Sequence, residues 1–245
     1  YSLTGQWMAL TPETTGMTAD QIAVHTRIAA SAVGATTMDR PEWVTANPVK
    51  PEVYCALTNN SKRALGKTNA GGDVMEAGGP NPRDNNVYGQ ILRWVPNNGD
   101  HAADGFTWDL FALAGNPDVN EGLNAGSANI NSGNMFNSPD GLAFDPEGRL
   151  WIQTDGTYSN EGDFAGMGNN QMLVGDTLTG EIRRFLVGPN ECEVTGLAWS
   201  PDRMTLFVGI QHPGEDGNSH FPRGGDSVPR SGVIAISRTD GKPIV

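Results

Sequence analysis

The sequence predicts an all-β fold, a partial β-propeller with about three four-stranded blades and one N-terminal helix. With 32 glycines and 16 prolines in 245 residues, it indicates many turns and few long helices. A unit made of G-L-A-aromatic, a Pro-acid turn and an apolar segment occurs at 138–156 and 193–211, and more weakly at 40–60. Two further strand-like segments follow each copy. The alternative is a β-sandwich of repeated hairpins.

The first part of the chain, residues 1–37, is predicted to lead into the repeats. Residues 5–11 are interpreted as the last strand of an earlier blade. Thr18 and Gln21 form a T-x-x-Q capping box. Apolar residues then recur at helical spacing, which predicts an amphipathic helix over 18–33.

We divide the remainder of this single 1–245 domain into blades at 38–115, 136–188 and 191–245. The strand-like segments that complete these blades are 86–95 and 106–114, 170–175 and 181–187, and 232–237 and 242–245. Because propellers use about 4–8 blades, three blades make only part of a ring. The chain also begins at Tyr1 rather than Met, so we expect it to be part of a longer protein. An open half-ring exposes blade faces, which predicts self-association or cover by upstream chain.

Composition excludes some classes of function. A net charge of −12 argues against nucleic-acid binding, because the chain has no basic surface for a polyphosphate. Excess carboxylates suit hard cations such as calcium, although they also serve plain solubility. No stretch is apolar for long enough to span a membrane. Cys55 is interpreted as a buried thiol on a strand, and a disulfide with Cys192 remains open.

Three carboxylates mark the candidate site. Aligning Pro48 with Pro146 places Glu42 on Asp140, and Glu193 begins the third repeat. At the starts of innermost strands, these side chains would converge on the channel, where mutual repulsion favours bound cations. The alternatives are a turn residue for Asp140 and a solvated edge for Glu193.

A cationic residue accompanies this site. Arg40 lies two residues before Glu42, so on an extended backbone both share a face. Arg40 would then donate to an anion beside the metal, or form a simple ion pair. Asp39 would point the other way, and Asp145 and Asp155 are interpreted mainly as turn residues.

Two loops at strand ends also carry polar residues that loops often use for function. One contains Asn81, Arg83 and Asn86, and the other contains His212 and Glu215. A turn role for His212 is the alternative.

The segments GATTMDRPEWV, NPRDNNVYGQILRW, NSPDGLAFDPEGRLWIQTDG and EVTGLAWSPDRMTLFVGIQHPGE together resemble the PhoX family of alkaline phosphatases over 34–215. The resemblance implies a six-bladed propeller with ferric and calcium ions at its centre. It also implies phosphomonoester hydrolysis in the periplasm or outside the cell. By this resemblance Glu42 and Asp140 bind iron, Arg40 contacts phosphate, and Glu193 binds calcium or lies beside the metals.

One departure from the family is important. Its iron site also uses a cysteine and carboxylates from before the R-P-E motif, and nothing before Asp39 supplies them. The chain therefore resembles the C-terminal half of such an enzyme, and we expect it to be inactive alone. A calcium-dependent propeller lactonase or phosphotriesterase, and a non-catalytic binding propeller, are the alternative functions.

Overall fold

A computed structural model describes residues 3–244. The described chain forms three antiparallel sheets of five, four and three strands, with only short helices. Across 3–244, every helix falls short of the length and apolarity that a bilayer crossing needs. The predicted all-β class is confirmed.

The first sheet has the strand order β1-β5-β4-β3-β2. Its strands are β1 (Leu3–Gln6), β2 (Pro41–Ala46), β3 (Val53–Leu57), β4 (Gln90–Pro96) and β5 (Gly105–Leu113). The assignment of 5–11 to an earlier blade is wrong, because Leu3–Gln6 pairs with β5 as a fifth strand. The pairing depends on Gly5, where a Cβ atom would lie 2.3 Å from the Phe106 ring.

The predicted single helix over 18–33 is two helices, α2 (Ala19–Val24) and α3 (Thr26–Ala32), preceded by α1 (Pro12–Thr15). The capping box at the start of α2 is confirmed, since Gln21 N donates to Thr18 Oγ1 at 3.2 Å and Thr18 N to Gln21 Oε1 at 2.9 Å. His25 ends α2 with non-helical angles. Thr26 Oγ1 then donates back to the Ile22 carbonyl at 3.1 Å, a bond that bends helices.

The second sheet runs in sequential order through β6 (Pro139–Phe144), β7 (Arg149–Thr154), β8 (Gln171–Asp176) and β9 (Ile182–Val187). Asp145 closes the turn between β6 and β7, as predicted for a turn residue. Its buried carboxylate accepts from Arg149 Nε at 2.8 Å and from Trp151 Nε1 at 3.1 Å.

The third sheet contains β10 (Glu193–Trp199), β11 (Leu206–Gln211) and β12 (Gly232–Ile236). The predicted fourth strand at 242–245 is wrong as far as residue 244, and Val245 lies outside the described residues. Asp240 bonds both Arg238 and the Lys242 N–H, which turns the chain. Pro243 has no N–H to donate to a ladder. Single 3₁₀ turns occur at Asn97–Gly99, Gly122–Ala125 and Gly162–Phe164.

The second sheet packs between the other two. One buried cluster joins Tyr54 and Phe111 of the first sheet to Leu150 of the second. Another joins Trp151 of the second sheet to Val208 of the third. The first strands β2, β6 and β10 meet in sequence, with β6 contacting both neighbours. The starts of these strands therefore lie near one another.

Candidate metal and phosphate site

Glu42 and Asp140 occupy the same kind of β-bulge. The register of β2 on β3 shifts between Pro41 and Val44, and that of β6 on β7 between Pro139 and Leu142. Each acid directly follows the proline at which the bulge begins. A bulge re-aims side chains at a sheet edge. The two carboxylates therefore hold equivalent positions in successive sheets.

The residues before the two prolines are also equivalent. Arg40 and Ser138 both have φ of 50°. Their carbonyls accept from Thr58 N at 3.2 Å and from Asp155 N at 3.1 Å, respectively. These bonds hold the end of β3 next to the start of β2, and the end of β7 next to the start of β6. Asp155, just after β7, therefore lies beside Asp140.

Glu193 reaches the same edge differently. It begins β10 opposite Gln211, whose side-chain amide donates to Glu193 Oε2 at 2.7 Å. The bulge of this sheet lies further along, between Thr195 and Leu197. Glu193 is half-buried, and its pKa is raised by burial and then by the nearby carboxylate of Asp155.

Asp140 lies in the electrostatic field of the neighbouring carboxylates. Its pKa is raised to about 7, first by burial and then by the charges of Glu42, Glu193 and Asp155, with Arg40 opposing. Four acids from three sheets thus share one field. Such clustering is unfavourable without compensating positive charge.

Asp155, Glu193 and His212 each offer one ligand atom within 4.8 Å of the others. His212 Nε2 lies 3.6 Å from Glu193 Oε2, and His212 Nδ1 lies 3.5 Å from Glu215 Oε2. Asp155, which the sequence analysis interprets mainly as a turn residue, thus lies beside Glu193 and His212 at this edge. In an antiparallel hairpin the second strand ends where the first begins, so residues after β7 and β11 join the edge. Asp155 and His212 each follow the second apolar segment of a repeat, and this shared position could have predicted from the sequence that they lie near Glu193.

Arg40 does not share a strand face with Glu42 as predicted, because its left-handed backbone angle ends the extended geometry before β2. Its Nη1 donates to Asn59 Oδ1 at 3.0 Å. Among residues 3–244, no carboxylate forms an ion pair with its guanidinium. Arg40 and Glu42 nevertheless line one cleft of about 550 Å³, with α3 on its far side.

Asp39 is fully buried and faces away from this cleft. Its carboxylate accepts from Arg63 Nε at 2.5 Å and Asn86 Nδ2 at 2.8 Å, while its N–H donates to Asn81 Oδ1 at 2.9 Å. Arg63 is itself only 1% exposed. The loop residues Asn81 and Asn86 therefore anchor the segment that precedes Arg40.

Arg83, the third polar residue of that loop, supports the backbone instead. It donates to the carbonyls of Ala114 at 2.7 Å and Gly89 at 2.5 Å. Burial lowers its pKa to about 10. The sequence suggested that this loop could carry function. In the structure its residues Asn81, Arg83 and Asn86 instead hold neighbouring segments in place.

Cys55 and Cys192 are both buried free thiols, which answers the open question of a disulfide. Burial raises the pKa of Cys55 to about 11 and that of Cys192 to about 12. The predicted buried thiol at Cys55 is confirmed.

Comparison with known proteins decides the family. The model of the family described as Alkaline phosphatase PhoX matches residues 2–214. The chain belongs to the PhoX family. PhoX of Pseudomonas fluorescens, solved in complex with vanadate, a transition state analogue, is 56% identical with a TM-score of 0.92. The match covers 98% of this chain and 42% of that PhoX chain, so the chain spans less than half the enzyme's length. No curated protein matches the sequence.

Proposed function

We propose that the chain forms the C-terminal part of a PhoX-type phosphatase that hydrolyses phosphomonoesters in the periplasm or outside the cell. The observation that carries this proposal is the meeting of β2, β6 and β10, which brings Glu42, Asp140, Asp155 and Glu193 to one edge, and the raised pKa of Asp140 agrees with it. Family membership gives the reaction class. Carboxylates arranged at such mutual cost are typical of sites that hold cations.

The sheets are, in this proposal, three successive blades with the limits 38–115, 136–188 and 191–245. The complete enzyme would close a six-bladed ring, as the PhoX resemblance implies. The meeting of β2, β6 and β10 supports this arrangement, because innermost strands of neighbouring blades lie side by side around a channel. Faces left open in the isolated chain favour its self-association.

The donor set fits hard cations. Glu42, Asp140, Asp155 and Glu193 supply oxygen ligands, and His212 adds one imidazole. Oxygen ligands suit calcium, and the iron(III) that the resemblance implies is also a hard cation. We assign Glu42 and Asp140 to iron, and Glu193 to calcium or to a position beside the metals. When bound, such cations act as Lewis acids on phosphoryl oxygens and offset developing negative charge.

Arg40 is the proposed phosphate-binding residue. Its exposed guanidinium lines the same cleft as Glu42 and has donors free of any ion pair with the described residues. A planar fork of N–H donors matches phosphate oxygens and stabilises charge that grows on them during phosphoryl transfer. The cleft has a volume of about 550 Å³, and Met38 and Met75 in its lining offer apolar contact to the organic group of the ester.

The test compares the isolated chain with the complete, metal-loaded enzyme. We expect p-nitrophenyl phosphate turnover and bound iron and calcium only in the complete enzyme, because its other ligands lie before the R-P-E motif by the resemblance. Turnover by the isolated chain with both metals added would overturn the proposed division of the site.

Substitutions test the residue roles in the complete enzyme. Glu42→Gln and Asp140→Asn are expected to reduce bound metal, whereas Glu121→Gln, an exposed acid on another loop, is the matched control. Arg40→Ala is expected to lower kcat/KM about 100-fold or more with metal content unchanged, because it removes bidentate contacts to a charged group. Arg223→Ala is its control. Unchanged kcat/KM in Arg40→Ala would reject the phosphate role.

Metal analysis also separates the alternatives. A calcium-dependent lactonase or phosphotriesterase would contain calcium but no iron. A propeller that only binds a partner would need neither metal. No observation on residues 3–244 favours either alternative over the phosphatase.

A further inference from the structure

The side-chain amide of Asn59 lies between Arg40 and the second sheet. Asn59 Oδ1 accepts from Arg40 Nη1 at 3.0 Å, and Asn59 Nδ2 donates to Ser138 Oγ at 3.0 Å. The Ser138 hydroxyl in turn donates to Asn137 Oδ1 at 3.0 Å, which also accepts from Thr157 N at 3.0 Å. A continuous chain of hydrogen bonds therefore links Arg40 to the second sheet.

The chemistry of the partners fixes the orientation of the Asn59 amide. A guanidinium can only donate, so it requires the Asn59 oxygen. The Ser138 hydroxyl uses its proton toward Asn137 and must accept from Asn59. Ser138 and Asn137 are 1% and 5% exposed, so this anchor is rigid and shielded from water.

Asn59 joins equivalent positions of two repeats. Arg40 precedes the Pro-acid bulge of β2, and Ser138 precedes that of β6. Two residues after Ser138 comes Asp140, the acid that follows the proline of the β6 bulge. The Asn59 amide thus connects the side chain of Arg40 to the residue that lies two positions before Asp140.

Arg40 has little else to hold it. Its side chain is exposed, and within residues 3–244 the bond to Asn59 is the single side-chain hydrogen bond of its guanidinium. A free arginine side chain samples many rotamers, and fixing it on substrate binding costs entropy. An existing hydrogen bond to one donor restricts that search while leaving the other donors for an oxyanion.

We propose that Asn59 is a positioning residue that orients Arg40 for phosphate binding in the active site. This inference rests on the proposed phosphate role of Arg40. Asn59 contacts Arg40 rather than substrate, so its whole effect on turnover passes through Arg40.

The test is a double-mutant cycle in the complete, metal-loaded enzyme with Asn59→Ala, Arg40→Ala and the double variant. We measure kcat and KM for p-nitrophenyl phosphate, the inhibition constant for inorganic phosphate and the thermal midpoint. Asn59→Ala is expected to lower kcat/KM and to weaken phosphate inhibition, each about tenfold, from the loss of a charge-assisted bond. In the Arg40→Ala background, the same change is expected to have no further effect on either constant.

Asn129→Ala is the matched control. Asn129 also bridges the first two sheets, by donating to the carbonyls of Phe111 at 3.2 Å and Gly180 at 2.9 Å, but its side-chain oxygen accepts from Ser127 rather than from an arginine. It is expected to lower the thermal midpoint without changing phosphate inhibition. Ser138→Ala removes only the far anchor of Asn59 and is expected to give a smaller loss than Asn59→Ala.

The outcomes separate the two proposals. An Arg40→Ala enzyme with normal kcat/KM rejects the phosphate role and this inference together. An impaired Arg40→Ala enzyme combined with a neutral Asn59→Ala, or with losses that multiply in the double variant, rejects the positioning role alone. Equal loss of phosphate inhibition in Asn129→Ala would also reject it, since the effect would then be one of general stability.

Discussion

Asp140→Asn should stabilise the cation-free chain at alkaline pH, even though it removes a proposed ligand. The folded state raises the pKa of Asp140 from its ordinary 3.8 to about 7, by burial and by the charges of Glu42, Glu193 and Asp155. The folded chain therefore holds a proton that the unfolded chain releases. This contribution to stability is complete below about pH 4 and is lost as pH rises through about 7.

The magnitude follows from the size of the pKa change. A difference of about three pH units corresponds to about 4 kcal/mol for a carboxylate sealed from water. Asp140 is only half-buried, so solvent screening reduces this to about 1–2 kcal/mol at pH 8. About half of that penalty develops between pH 5.5 and pH 8, because the titration spans the range between the two pKa values.

Urea unfolding of the isolated chain in chelator, at pH 5.5 and pH 8, measures the effect. Asp140→Asn should exceed the wild type in free energy of unfolding by about 1–2 kcal/mol at pH 8 and by less at pH 5.5. Asp226→Asn, an exposed acid between β11 and β12, is the control. A cation-free Asp140→Asn chain that is less stable than the wild type at pH 8, or an advantage independent of pH, would refute the reasoning.

Three further predictions concern the scaffold. Arg63→Leu leaves the buried Asp39 carboxylate without its cation and should lower the free energy of unfolding by about 3–5 kcal/mol, as measured in urea; a loss under 1 kcal/mol would contradict it. Leu150→Ala, in the core between the first two sheets, should cost about 2–5 kcal/mol in the same assay, whereas exposed Leu178→Ala should cost little. The thiols of Cys55 and Cys192 should react with a disulfide reagent at pH 8 only after unfolding, since both are buried with raised pKa values; fast reaction of the folded chain would argue against that burial.

The repeat comparison predicted most strands of the three sheets and one equivalence at the site. Aligning the Pro-acid turns placed Glu42 on Asp140, and both acids occupy matching bulges. The signal was strong because turn chemistry and alternating apolar residues repeat together, so local and long-range patterns agree. Family membership predicted from the motifs over 34–215 is confirmed by the match at 2–214.

Other features depended on contacts that no local pattern encodes. Thr18 and Gln21 predicted where α2 begins, but not that it would end at His25, because only Ala29 among the predicted helical residues 18–33 is buried. β1 joins the sheet through the ring of Phe106 over Gly5, about a hundred residues apart in sequence. The place of Asp155 beside Glu193 and His212 arises only because β7 returns to the edge where β6 begins, and no local pattern encodes that contact.

The cluster of Glu42, Asp140, Asp155 and Glu193 lowers the stability of the chain but supplies the proposed metal ligands. Four acids share a field that raises the pKa of Asp140 to about 7, so the cation-free chain carries a penalty that its cores must offset. Neutral residues would relieve the penalty but would remove the ligands. In the proposed complete enzyme, bound cations would remove this penalty by supplying positive charge, and metal binding would then be coupled to folding. Arg40 opposes the acids within the same field, yet its exposed guanidinium remains available to an anion because Asn59, rather than a carboxylate, holds it. An ion pair in place of that neutral amide would stabilise the chain and occupy the donors that phosphate needs.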